Sequence, residues 1–499
     1  MAGTYTPIIA GVSQFTQRKG AAEPLDPLGI MEKVCRGALK DAGGERIKDA
    51  VDSLQVVNLF QWPYRDAPGM LAQRLGLGPG ERRYTPIGGN TPQLLVNRAC
   101  RALAAGKARA VLLAGAEAIY SLRRALKGEI ALDWPSSEPP ARIDGEDRPG
   151  ASELEGAYDL FFPATMYPLV ETAIRAASGR TPEKHRLHMA KLGERLSKVA
   201  SRNPHAWTQK ALSAREIGTV TPENRYISYP YTRHMVANIN VDQGAAVLLT
   251  TTAEAGRLGI DRDRRVFPLG GADFHDVWHV TQRPALDRSP AIGHASRIAL
   301  EQAGLEMGDI DLFDLYSCFP SAVEIAMREM GIAEADPRPI SLTGGLAFFG
   351  GPGNNYSLHA IASAAEGIRR NRAHKALINA NGWYVTKHSV GVYGGEPSGR
   401  PWGERDDSAV QRSIDAETLP CPTVRGQGAL RVEAYVIRHD RGGEPVLGTV
   451  LGRLPDGTRA LAHIRADREE LLEMERTELV GREGRVGHSE DSGLNFVRF

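Results

Sequence analysis

Two stretches of this chain return, about half a chain later, at almost the same interval. "ALKDAG" at 38–43 reappears as "ALEQAG" at 299–304, an offset of 261 residues (38 to 299). "GGNTPQLLVNRACRALAAG" from Gly88 reappears in outline as "GGPGNNYSLHAIASAAEGI" from Gly350, an offset of 262 (88 to 350). Each copy reads helix, acidic turn, apolar strand, helix. Each glycine turn is then followed by an apolar run, "ARAVLLAGAEA" in the first copy and "HKALINANGWY" in the second. Repeated strand–helix alternation implies an α/β fold built from a duplicated βαβαβ unit.

The second turn lies in "GGLAFFGGPGNNYSLHA", residues 344–360, with five glycines in ten residues. Such a backbone reaches conformations other residues resist and lets something come close. Two equivalent turns in a pseudo-twofold pair would bring two helix N-termini near one centre. There, free N–H groups and helix dipoles favour a developing negative charge.

Composition narrows the function. Net charge is +1 and hydrophobic content 42%, ordinary for a globular protein, so no nucleic-acid partner is expected. The cysteines Cys35, Cys100, Cys318 and Cys421 are far apart without a CxxC pair, so neither a disulfide framework nor a metal site is expected. No basic leader precedes a long apolar run at the N-terminus, and no stretch is long enough for a membrane span. These features point to a reduced, cytoplasmic setting.

Over roughly residues 5–400 the chain resembles the thiolase superfamily, in particular the sterol-carrier-protein type and thiolase-like proteins type 1. "INVDQGAAVLL" at 239–249 is similar to the family's "SDGAAA" strand, "DLYSCFPSAVEIA" at 314–326 to its "HDCF" or "NEAF" segment, and "GGLAFFGGPG" to "GGxxxxGHPxG". The stretch from about 120 to 235, with "RNPHAWTQKAL", matches the inserted region that covers the CoA thioester in thiolases. The resemblance therefore implies a thiolase fold, coenzyme A as a thioester substrate, and an acyltransferase or a carbon–carbon bond-forming or -cleaving enzyme of lipid metabolism.

The departures fall on the chemistry. The family's nucleophilic cysteine maps to Gly89, its GHP histidine to Gly351, its second cysteine to about Asn379, and the first residue of "HDCF" to Tyr316. The acyl-cysteine mechanism does not carry over. The family's oxyanion hole is partly backbone, and the resemblance places it at Gly89 and at Asn381 or Gly382.

Side chains that could act instead stand nearby in sequence. His388, in "NANGWYVTKHSVGVYGG" at 379–395, is the candidate acid or base, unless it is simply bonded within a turn. Lys387 beside it either meets a CoA phosphate or is solvated. Tyr316 could donate a proton. Cys318 is the one cysteine near the inferred site, unless it is a small core residue. Gly351, Asn355, Tyr356 and His359 are expected to bind substrate; Tyr356 and His359 share a helix face that meets either substrate or core.

Residues 394–408 are rich in Gly, Pro and charge and read as a linker. Beyond it, strand-like runs with turns at "RGGEP" and "PDG" predict a small β-rich, barrel-like domain over 412–499. Thirteen arginines and no lysine stand against 15 acidic residues there, a balance of −2 that disfavours nucleic acid. The expected organisation is 1–250 (with the insertion at about 120–235), 251–400 and 412–499. The expected function is an acyl-CoA-dependent enzyme lacking the cysteine nucleophile. The alternatives are an aldolase-type lyase on a CoA thioester and a non-catalytic acyl-CoA-binding protein, as monomer or homodimer.

Overall fold

The computed structural model describes residues 5–499; the first four residues, part of the expected N-terminal half, lie outside the described residues. Its strands are β1 (Pro7–Thr16), β2 (Val51–Val56), β3 (Glu81–Tyr84), β4 (Ala110–Ala118), β5 (Tyr226–Tyr229), β6 (Tyr231–Thr232), β7 (Asp242–Thr251) and β8 (Phe267–His275). There follow β9 (Leu312–Leu315), β10 (Lys375–Gly382), β11 (Lys387–Gly394), β12 (Gly428–His439), β13 (Pro445–Arg453), β14 (Arg459–Ile464), β15 (Glu483–Ser489) and β16 (Leu494–Arg498).

The repeat read from the sequence is a repeat in space. One sheet has the order β1-β7-β4-β2-β3 and the other β8-β11-β10-β9. In both, the first strand runs antiparallel to the second and the second antiparallel to the third, and the inner pair that follows is parallel. Where the second copy lacks a fifth strand, the Leu315 N–H still donates to Ile340 O at 3.0 Å along that edge. β4, β7 and nearly all of β10 are buried along their whole length, as continuous apolar strands covered on both faces should be.

Helices account for the covering. The outer helix Pro27–Asp41 packs on β1, β7 and β4, and its counterpart Pro290–Ala303 packs on β8 and β11. Both start at a capped residue followed by proline: Asp26 accepts from Gly29 N and Ser289 from Ile292 N. The helices that follow the glycine turns, Thr91–Ala104 and Tyr356–Arg370, lie between the sheets and touch strands of both. Unlike the outer pair, neither has a side-chain cap. Their first N–H groups are left for the centre of the molecule. No helix among the described residues is long and apolar enough to cross a membrane.

The C-terminal region closes a five-stranded barrel: β12 pairs with β13, β13 with β14, β14 with β16, β16 with β15, and β15 with β12. The barrel is not free-standing. The hairpin β5–β6, which belongs to the inserted segment, adds to the far end of β12 through Ile437 opposite Tyr229. The insertion helix Pro163–Ala177 supplies a second tie. Arg175, fully buried, binds Glu478 through Nε and Nη2 at 3.0 and 2.6 Å and also reaches the hydroxyls of Tyr229 and Tyr435. Thr172 Oγ1 donates to Tyr435 O and accepts from Tyr435 N, both at 3.0 Å.

Candidate active site

The two glycine turns meet at the centre. Gly88 N–H donates to Asn354 Oδ1 at 2.9 Å, and Ser357 Oγ donates to Gly89 O at 2.9 Å, so the start of each central helix helps hold the other. What comes close to the second turn is the protein itself. A β-carbon on Gly353 would collide with Glu117 Oε1, and one on Gly350 with Gln243 Oε1, while Gln243 Nε2 donates to Phe349 O at 2.9 Å. Both glycines have positive φ, 55° and 116°, so the turn needs glycine for its backbone as well as for space.

At Gly89 the close neighbour is Tyr316. A β-carbon there would overlap the tyrosine hydroxyl and stand 2.6 Å from both Tyr316 Cζ and Asn381 O. The position the resemblance gives to a nucleophilic cysteine is thus filled by a phenol from another strand end. Gly351 is less crowded: the nearest atom to its absent β-carbon is Leu346 Cδ2 at 3.3 Å, so even a small side chain there would press on Leu346, and no space for an imidazole is left open. Among the described residues no acceptor meets the Gly89 N–H.

Around this pair the chemistry is neutral and dry. Burial pushes Tyr316 well above the usual phenol range, with the neighbouring Cys318 adding to it. Burial likewise pushes the Cys318 thiol up to about 12, so it stays protonated at neutral pH. Asn381 Nδ2 donates to Tyr167 Oη at 2.9 Å and passes 3.9 Å from Cys318 Sγ, while its Oδ1 has no partner. Tyr167 donates in turn to Trp383 O at 2.8 Å and stacks on Phe319 at 4.4 Å, which brings the insertion to the end of β10.

Lys387 completes the wall. Its Nζ donates to Ile87 O at 2.5 Å, beside the first glycine turn, and burial lowers it to about 8 against the pull of Asp147 and Glu146. A β-carbon on Gly382 would lie 3.1 Å from Lys387 Cε and 2.5 Å from the unpartnered Asn90 Oδ1. A cleft of about 240 Å³ opens here, bordered by Thr85, Asn90, Arg98, Glu146, Trp278 and Lys387. On the opposite side, an apolar slot between Met189, Met235, Phe319 and Phe348 encloses about 20 Å³, room for a single water.

The expected site residues divide accordingly. Gly89, Tyr316, Cys318, Asn381 and Gly382 come together, with Tyr356 edge-on to Tyr316 at 5.5 Å. His388 does not join them. Strand residues alternate faces, and Lys387 and Ser389 point to the glycine turn, so the His388 ring points away from the turn although the residue borders the same cleft. Its Nε2 lies 3.1 Å from Asp276 Oδ2 and 3.4 Å from Ser289 Oγ, at the start of an outer helix. His359 is core: Nδ1 meets Gln14 Oε1 at 3.0 Å, and burial drives it down to about 3, so it is neutral. Asn355 ties its helix to β4 through Gly115 O at 2.6 Å. Tyr356 Oη is bound to Thr343 Oγ1 at 2.5 Å.

Three residues of the centre carried no signal that was used. Glu117 is the acidic residue inside "ARAVLLAGAEA", and an acid in an otherwise apolar strand was the clue. It is buried and raised to about 8 by burial, although Oε1 accepts from Phe60 N at 2.5 Å; Oε2 has no partner. Tyr167 sits in an insertion helix with no motif around it. Gln243 precedes the glycine of "VDQGAA".

Duplicated sheets of this order, with two uncapped helix starts meeting at glycine turns, define a thiolase-fold protein. The chain belongs to the SCP2-thiolase-like protein type 1 family. A monomeric member from Mycobacterium smegmatis is 32% identical over 100% of this chain and 99% of its own, with a TM-score of 0.85. The family profile "thiolase-like protein type 1 additional C-terminal domain" matches residues 409–491. The same fold is seen in the Ltp2-ChsH2(DUF35) aldolase, 19% identical over 79% of this chain and 99% of that one, TM-score 0.61. It is seen again in an acetyl-CoA acetyltransferase from Syntrophomonas wolfei, 14% identical over 78% and 99%, TM-score 0.58. No curated protein matches the chain.

Proposed function

We propose that the protein is a CoA-thioester enzyme that makes or breaks a carbon–carbon bond beside the thioester carbonyl, as an aldolase-type lyase does, without an acyl-cysteine intermediate. One observation carries this reading: the Tyr316 hydroxyl takes the space of a side chain at residue 89, so a phenol rather than a thiol faces the turn. A phenol held far above its usual range keeps its proton at neutral pH and acts as a donor, not a nucleophile. In cleavage the α–β carbon bond breaks as the β-hydroxyl gives its proton to a base and the thioester α-carbon takes one up. Tyr316 is placed to hydrogen-bond the β-oxygen as a donor, and the uncharged form of Lys387 is the base.

The charge that builds on the thioester oxygen would be met by the Gly89 N–H at a helix start and by the backbone at 381–382. Lys387, titrating near 8, is the group on this wall able to take up a proton at neutral to mildly basic pH. The fold also houses an aldolase and an acetyltransferase, so fold alone does not choose between them. A second reading, acyl-CoA binding without turnover, is favoured by the burial of His388 and His359 away from Tyr316.

The test is to offer the purified protein a set of β-hydroxyacyl-CoA thioesters and, separately, acetoacetyl-CoA with free CoA. The expected result is release of a carbonyl product from the first and negligible thiolysis of the second. Tyr316→Phe should lower turnover by about 100-fold with CoA-ester affinity kept. Ordinary thiolysis overturns the proposal; saturable binding with no product from any thioester leaves the second reading.

A further inference from the structure

Away from the glycine turns, three helices bury a group of metal-ligating side chains that the proposed chemistry does not use. Glu171 comes from the insertion helix Pro163–Ala177, His185 from Pro182–Ala200 and Glu324 from Pro320–Glu329. One ligand atom of each lies within 4.8 Å of the others, the one such group of three among the described residues. His188 follows His185 by three residues on the same helix face, its ring 5.8 Å from that of His185 and its Nε2 3.4 Å from Glu324 Oε1.

Glu171 is well held, with Oε1 2.5 Å from His185 Nε2 and Oε2 accepting from Tyr231 at 2.6 Å. The other side of the group is not. Glu324 is 92% buried as a side chain (8% exposed), and its Oε1 has no hydrogen-bond partner; neither has His185 Nδ1, on a side chain 1% exposed. A buried carboxylate oxygen without a hydrogen bond is costly, and an ion held between Glu324 Oε1 and His185 Nε2 would relieve it. A cleft of about 280 Å³ reaches the group from solvent, lined by Arg180, His188, Asp287, Glu324, Arg328 and Glu334.

We propose that Glu171, His185 and Glu324, with His188 as the fourth group on the cleft side, form a binding site for a divalent transition cation, zinc by preference. Mixed imidazole and carboxylate donors suit such ions better than the all-oxygen sets of calcium or magnesium. Zinc with ligands at about 2.1 Å sets neighbouring ligand atoms roughly 3.4 Å apart. The His188–Glu324 separation of 3.4 Å already matches that spacing, and the Glu171–His185 pair at 2.5 Å opens by roughly 1 Å to admit the ion. The sequence expectation of no metal rested on cysteine spacing, and this group uses no cysteine. The cation would pin the insertion to the second half of the molecule, since its ligands come from both.

The test uses the full-length protein, with zinc content after purification, calorimetric titration with zinc chloride and with magnesium chloride, and cobalt(II) as a visible-absorbing probe. Expected are about one zinc per chain, a Kd below about 10 μM for zinc, no comparable magnesium binding, and a cobalt absorption typical of low coordination number. Glu324→Gln and His188→Asn, each checked for native circular dichroism, should weaken zinc by at least the roughly 10–100-fold that even outer partners of a metal site are worth. Zinc binding no tighter than about 1 mM, or equal affinity in wild type and a folded Glu324→Gln protein, overturns the proposal and leaves a hydrogen-bonded helix junction only.

Discussion

The hydroxyl of Tyr316 stands where residue 89 would carry its β-carbon, and residue 89 is glycine. Each residue explains the other: the phenol fits because there is no side chain, and no side chain fits because of the phenol.

That relation is measurable as coupling. Gly89→Ala in the wild type should cost about 1–3 kcal/mol by urea denaturation, the usual penalty of overfilling a packed interior. In a Tyr316→Ala background the same change should cost clearly less. Additive effects within about 0.5 kcal/mol would show that the two sites do not share this space.

Glu117 gives stability a pH dependence with a definite sign. Its folded-state value near 8 lies above its ordinary 4.5, so between these the folded protein holds a proton the unfolded chain has released. Stability from this residue is therefore present at low pH and falls as pH rises from 4.5 to 8. In Glu117→Gln that decline should flatten, read from urea midpoints at pH 5 and pH 8.

Lys387 acts in the opposite window. Lowered from 10.5 to about 8, it is neutral in the fold while still charged in the unfolded chain, so stability rises with pH between 8 and 10.5. Lys387→Met should abolish that rise. If Lys387 also takes up the proton in turnover, the variant should lose the rise of activity with pH that is centred near 8.

Acylation should not be found on cysteine. With Cys318 pushed up to about 12, an incubation with excess acyl-CoA should leave the intact protein mass unchanged. Cys318→Ser should keep most activity on whatever thioester proves to be the substrate, whereas a loss of 100-fold would make the thiol a participant.

The open edge of the first sheet is covered by the chain's own insertion. Asp144 Oδ2 accepts from Tyr84 N at 3.0 Å and Asp144 N donates to Tyr84 O at 2.7 Å, so the insertion occupies the end of edge strand β3. Light scattering should give the mass of one 54.1 kDa chain. Asp144→Pro, which removes both bonds, should promote self-association if this cap keeps the edge single.

Much of the fold was legible because its signals are local. Glycine pairs at 88 and 350, and matching helices about 261 residues apart, mark the duplication without any knowledge of distance contacts. The site was harder for two physical reasons. Tyr316 and Gly89 meet only after two halves have folded on each other, and no spacing in one strand announces that. Lys387 and His388 are adjacent, yet a strand sends neighbours to opposite faces, so a histidine of suitable chemistry sat one residue out of phase with the site. The insertion was expected as a cover, and its hairpin also extends the sheet of the C-terminal domain, a pairing no local signal announces.

That hairpin sets a timetable for synthesis. Tyr229 leaves the ribosome 208 residues before Ile437, its partner in β12 (229 to 437). At about 5–20 residues per second the nascent insertion waits roughly 10–40 s with the β12-facing edge of its hairpin unpaired. A chain truncated before the barrel would keep that edge permanently, ready to pair with its neighbours on the polysome. The C-terminal barrel is thus the last piece needed to cover the insertion's edge strand.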